Sequence, residues 1–83
     1  MTNSVKVLDA TGLLCPLPVL RARKALRAVS PGEIIEIWVT DPAAPADFRA
    51  FCHEAGHTLI QIDVAGEGNR IRIKKRSRQG DRR

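Results

Sequence analysis

Four short stretches of the chain alternate or run apolar like strands, and two longer ones repeat their apolar residues like helices. Val5-Lys6-Val7-Leu8-Asp9 begins in alternation and is β-branched, which predicts a strand. From Pro16 to about Val29, the residues Val19, Ala22, Ala25, Leu26 and Val29 recur at helical spacing, and Arg21, Arg23, Lys24 and Arg27 cover the other side. Ser30-Pro31-Gly32 stops that helix. Glu33 to Thr40 is the strongest strand signal, with Ile35, Ile37 and Val39 on one face and Ile34, Glu36 and Trp38 on the other. A turn rich in proline and alanine follows. The second helix is predicted from about Pro45 to Ala55, because Phe48, Phe51, Cys52 and Ala55 form one apolar stripe, and Gly56 suits the position just past its end. Thr58 to Val64 alternates again, with Ile60, Ile62 and Val64 expected on one face. Gly66-Glu67-Gly68-Asn69 reads as a hairpin turn, and Arg70-Ile71-Arg72-Ile73-Lys74 as a strand with an exposed basic face.

The element order is therefore β-α-β-α-β-β. Each helix must bury an apolar stripe, and the sheet is the surface that can receive it. A two-layer α/β sandwich with both helices on one face of the sheet follows. No internal repeat or domain boundary is visible. Residues 1–75 are expected to form one domain, and residues 76–83, without periodicity and nearly without apolar groups, a basic disordered tail.

Composition refines this picture in two places. At 83 residues the core must be thin. The net charge of +5 is unevenly spread: residues 70–83 hold eight of the fourteen Lys and Arg and one of the nine acids, which leaves the remaining body at −2. The overall charge thus says little about partners. No stretch approaches the apolar length of a membrane span, and the N-terminus lacks a signal-peptide layout, so a cytoplasmic protein is expected. Two cysteines outside any C-x-x-C pair are expected to be free thiols in a reducing compartment.

The chemistry concentrates at Leu13-Leu14-Cys15-Pro16-Leu17-Pro18. Pro16 disfavours the α region for Cys15, and proline is tolerated in a helix's first turn. This places Cys15 at the helix cap, Pro16, Leu17 and Pro18 in the first turn, and the sulfur near the positive end of the helix. The Leu17 N–H is the donor expected to face it. That setting lowers a thiol's pKa, less so here because two prolines remove donors. A cysteine in a small domain is also commonly an inert buried side chain, and from the residues alone both readings stand.

The run Leu8-Asp9-Ala10-Thr11-Gly12-Leu13-Leu14-Cys15-Pro16-Leu17-Pro18 resembles the signature of the TusA (SirA-like) sulfur-carrier family. The likeness continues through Pro31-Gly32-Glu33, Asp41-Pro42-Ala43, Asp47 and Phe51-Cys52, and covers residues 5 to about 75. The resemblance implies a mixed four-stranded sheet, similar to the C-terminal domain of translation initiation factor three. It implies that Cys15 carries a persulfide, that Gly12, Pro16 and Pro18 shape its loop, and that Asp9 makes a structural hydrogen bond. It further implies docking with a cysteine desulfurase or other sulfur donor and with an acceptor sulfurtransferase. The pathway would be tRNA 2-thiouridine synthesis, sulfur cofactor synthesis or dissimilatory sulfur oxidation. Such a relay needs a nucleophilic thiol, and no cofactor or metal is expected.

Other residues have plainer readings. Arg21, Arg23 and Lys24 lie within about three turns of Cys15; they are a solvated helix face or a surface that steers an acidic partner. Cys52 reads as a small buried hydrophobe. His53 and His57 are badly spaced for zinc with Cys15 and Cys52, and are expected at a helix end that favours their charged form. The basic tail offers an alternative function, a small RNA-binding or regulatory module, and the two cysteines offer a weaker one, a thiol redox sensor.

Overall fold

The structure, a computed structural model, describes residues 5–77. Its elements are β1 (Lys6–Ala10), α1 (Leu17–Ala28), β2 (Ile34–Val39), α2 (Ala44–Ala55), β3 (Thr58–Ala65) and β4 (Gly68–Lys74). The sheet order is β1-β2-β4-β3. β1 runs parallel to β2, while β4 is antiparallel to both β2 and β3, so the sheet is mixed. This is the expected α/β architecture, and no helix among the described residues is long and apolar enough to cross a membrane.

The core lies between the helices and one face of the sheet. Ile35, Ile37 and Val39 of β2 and Ile71 and Ile73 of β4 are buried there with Ala10. They meet Ala22 and Leu26 of α1 and Phe48, Phe51 and Cys52 of α2. Phe48 and Phe51 pack edge to face, with centroids 6.4 Å apart, the geometry aromatic quadrupoles favour. Pro18, assigned by sequence to shaping the loop, also belongs to this interior: it is the second residue of α1 and its ring is fully buried.

The other face of the sheet is open. Its centre is Glu36, which is 8% exposed despite its charge. Its carboxylate accepts from Trp38 Nε1 at 2.7 Å and from Arg72 Nε at 2.8 Å, and Arg70 lies 5.7 Å from the Trp38 ring centre. The Trp38 bond, and next the Arg72 bond, hold this carboxyl below the usual range. A buried carboxylate is tolerable when its oxygens are paired in this way.

The structure corrects the sequence reading of β3. A bulge between Leu59 and Gln61 shifts the register. Leu59 and Ile62 therefore pack on the core, while Ile60 is 40% exposed and Val64 83% exposed. One extra residue turns the side chains after it to the opposite face, so Ile60 does not share a row with Ile62 and Val64. Val64 shares the face of Ile62 but lies opposite Asn69 near the turn, where it is uncovered. Arg76, read as the start of the tail, belongs to the packed body: its N–H donates to His57 Nδ1 at 3.0 Å. Residues 78–83 of the tail lie outside the described residues.

At the β3–β4 turn, Gly68 sits against β2. A Cβ built there would overlap the Val39 carbonyl oxygen and come within 2.9 Å of Thr40 Cα. Gly68→Ala must push β4 away from β2, and overpacking of this kind costs about 1–3 kcal/mol. In a domain of this size Tm should fall by about 4–8 °C for each kcal/mol. Thermal unfolding followed by circular dichroism checks this, and an unchanged Tm would contradict the close approach.

Candidate functional site

β1 and β2 are parallel and in register, with Ala10 beside Val39. Their C-terminal ends therefore lie side by side, and so do the loops that leave them. Open α/β sheets place ligand sites at these ends. The β1–α1 loop carries Cys15 and the β2–α2 loop carries Thr40 and Asp41.

Side chains of the second loop hold the backbone of the first. Thr40 Oγ1 accepts from the Gly12 N–H at 2.9 Å, and Asp41 Oδ2 accepts from the Cys15 N–H at 2.7 Å. Gly12 makes its turn at φ 82, a conformation in which a Cβ is strained. Asp9 accepts from the Thr11 N–H and hydroxyl at 3.0 and 2.7 Å, closing the loop from its other side. These bonds hold the Asp9 carboxyl below its ordinary value. Asp41 also accepts from the Ala43 N–H at 3.0 Å. The Ala43 bond, followed by the Cys15 bond, likewise lowers its pKa.

The helix start differs from the sequence reading by one residue. Pro16, joined to Cys15 by a cis peptide, occupies the cap position, and Leu17 is the first residue of α1. The Leu17 N–H, expected to face the sulfur, instead donates to the Leu14 carbonyl at 2.8 Å. Cys15 lies one residue before the cap and is exposed. Leu14 and Leu17 beside it are 68% and 47% exposed, an apolar rim on either side of the thiol.

The electrostatics of Cys15 reverse the expected sign. The Asp47 carboxylate, in the first turn of α2, stands beside the thiol in the same groove and favours its protonated form as a hydrogen-bond acceptor. That bond, together with desolvation and the negative charges of Asp47 and Asp41, raises the Cys15 pKa above its ordinary value. Two nearby carboxylates penalise a thiolate, and this outweighs a helix start poor in donors. Asp41 and Asp47 were visible in the sequence as matching residues of the resemblance. Their place around Cys15 was not, because it depends on the pairing of β1 with β2.

A groove of about 230 Å³ leads from Cys15 between the helices, and Val19, Arg23, Asp47, Phe51 and Glu54 help to line it. Of the three basic residues singled out on α1, Arg23 lines this groove, with its guanidinium 5.3 Å from the Phe51 ring centre. Arg21 and Lys24 are exposed on the same helix. Cys52 is 3% exposed, and burial pushes its thiol up to about 11. His53 is exposed. His57 is partly buried, and burial, then the charges of Arg76 and Lys75, lowers its pKa. This corrects the expectation that its charged form is favoured: the cations that meet it oppose protonation. Among the described residues, no cluster of three or more His, Cys, Asp and Glu could hold a metal ion.

Comparison with known proteins shows the family of the chain. The family model described as "Sulfurtransferase TusA" matches residues 6–75. A protein of Neisseria meningitidis serogroup A is 51% identical over 55 residues, 66% of this chain and 74% of its own. The sulfur carrier protein TusA of Allochromatium vinosum is 44% identical over 75 residues, covering 90% of this chain and 99% of that protein. The crystal structure of a SirA-like protein from Desulfitobacterium hafniense shares the fold, with a TM-score of 0.76 at 22% identity, covering 88% of this chain and 100% of the other. The chain belongs to the TusA sulfurtransferase family.

Proposed function

We propose that this protein is a sulfur carrier in which Cys15 holds the travelling sulfur as a persulfide. The observation that carries the proposal is the exposed Cys15 at the head of α1, in a chain matched by the TusA family model over residues 6–75. In loading, the Cys15 thiolate attacks the outer sulfur of a donor persulfide. A new S–S bond forms at Cys15, the donor's S–S bond breaks, and the donor cysteine leaves as a thiolate. In delivery, an acceptor thiolate attacks that outer sulfur and Cys15 leaves in turn. Neither step needs an external oxidant or reductant.

The surroundings suit exchange between proteins. The thiol is open to solvent, and the apolar rim of Leu14 and Leu17 offers contact area to a docked partner. Arg21, Arg23 and Lys24 are the residues we assign to steering an acidic partner. Gly12, Pro16 and Pro18 keep the cysteine in place. A cysteine desulfurase or another sulfur-donor protein would load Cys15. An acceptor sulfurtransferase would unload it, toward tRNA thiolation, a sulfur-containing cofactor or sulfur oxidation. Asp47 favours the protonated form of the thiol, so attack by Cys15 needs that proton removed.

Intact mass spectrometry after incubation of reduced protein with a cysteine desulfurase and cysteine tests the carrier reading. Wild type and Cys52→Ser should gain one thiol-reducible sulfur, and Cys15→Ser none. If Cys15→Ser loads like wild type, Cys15 is not the carrier residue. A second experiment tests the carboxylate. Asp47→Ala removes both the bond and the charge that favour the neutral thiol, so the midpoint for Cys15 alkylation should move to lower pH. The initial rate near neutrality should rise, since the thiolate is the nucleophile. A midpoint that stays in place or moves upward would rule out Asp47 as the group that restrains Cys15.

A further inference from the structure

A second cavity lies at the far end of the helices, where the chain leaves β4. It measures about 330 Å³, and Arg23, Arg27, Lys75, Arg76, Phe51 and His57 are among its lining residues. No Asp or Glu lines it among the described residues. Nor does Arg23, Arg27 or Lys75 pair with a carboxylate among the described residues. Arg23, Arg27 and Lys75 thus bring three unpaired cations to one concave surface that Arg76 also lines, which concentrates their field.

A structural duty explains part of this. Lys75 Nζ donates to the Val29 carbonyl at 2.7 Å, at the end of α1, and Arg76 Nη1 donates to the Ala55 carbonyl at 3.2 Å, at the end of α2. Cations at helix C-termini are favourable in their own right. Yet an ammonium has three donors, and this contact uses one. The Lys75 backbone is also fixed, its N–H donating to the Glu33 carbonyl at 2.9 Å and its carbonyl accepting from the Gly32 N–H at 3.0 Å. Capping therefore covers the two carbonyls that would repel an anion and holds the charged heads at the cavity wall. Arg27 is exposed on α1 and shares no such duty.

We propose that this cleft binds a small phosphate-type polyanion, either inorganic pyrophosphate or the diphosphate of a nucleotide. Arginine supplies a fork of donors matched to phosphate oxygens, and Lys75 adds a compact charge. The cavity lies at the small end of ligand-sized pockets. His57 on its wall, whose pKa is lowered first by burial and then by the charges of Arg76 and Lys75, adds no strong competing cation. Arg23 and Phe51 line both this cleft and the Cys15 groove, so an anion seated here engages a side chain of that groove.

The test is an NMR titration of the full chain with pyrophosphate, ADP and adenosine in parallel, at constant ionic strength set with chloride. Pyrophosphate should give saturable shifts centred on Arg27, Ala55, His57 and Lys75. Arg27→Gln should weaken binding about tenfold, the loss expected for one charge-assisted hydrogen bond. Lys75→Gln, which retains a donor for Val29, should weaken it as well while the fold persists by circular dichroism. Arg70→Gln removes the same charge from the open face of the sheet and should change affinity less than about twofold. Tighter binding of ADP than of pyrophosphate would assign the cleft to a nucleotide, and equal binding to the inorganic anion. Shifts that fail to saturate, an equal loss in Arg70→Gln, or binding of adenosine alone would overturn the proposal.

Discussion

The candidate site depends on one carboxylate. Asp41 reaches from the loop after β2 to the Cys15 N–H with one oxygen and to the Ala43 N–H with the other. It joins the two loops at the C-terminal edge of the parallel pair and sets where α1 and α2 begin relative to one another. The position of the sulfur, the approach of Asp47 and the mouth of the groove all inherit that geometry. A hydrogen bond to an ionised acceptor is stronger than one between neutral groups. Backbone N–H groups that α1 and α2 leave without intrahelical partners are well served by such an acceptor.

The same arrangement distributes charge along the helix layer. Carboxylates gather where α1 begins, and Lys75 covers the carbonyl where α1 ends. Each complements the partial charge of the helix at its own end. The cysteine consequently sits where the positive helix terminus is already answered by acids. A thiol at a helix start is often read as activated, but here the neighbours decide otherwise. Electrostatic control of Cys15 comes from α2 and the loop before it, not from the helix that Cys15 precedes.

Much of the fold was legible because its signals are local. Ile35, Ile37 and Val39 alternate in the sequence and lie buried together, and Phe48, Phe51 and Cys52 form the inner stripe of α2 as their spacing required. Proline and glycine marked the ends of both helices to within a residue or two. What the sequence concealed was contact between distant segments. The acids around Cys15 come from residues 26 and 32 positions further along the chain. His57 meets its cations through Lys75, the last residue read into the domain, and Arg76, read as the first of a tail. The bulge in β3 was hidden for a different reason: Thr58 to Val64 alternates well, and alternation cannot reveal where a strand takes in an extra residue.

That bulge also has a bearing on how the molecule meets its neighbours. β3 is an edge of the sheet, eight residues long, with Ile60 and Val64 uncovered. A long apolar edge is an invitation to a foreign strand. Here a strand attempting to extend the sheet would find the backbone donors and acceptors out of step between Leu59 and Gln61. It could match the half before the bulge or the half after it, but not both. An edge interrupted in this way discourages permanent pairing with a second sheet.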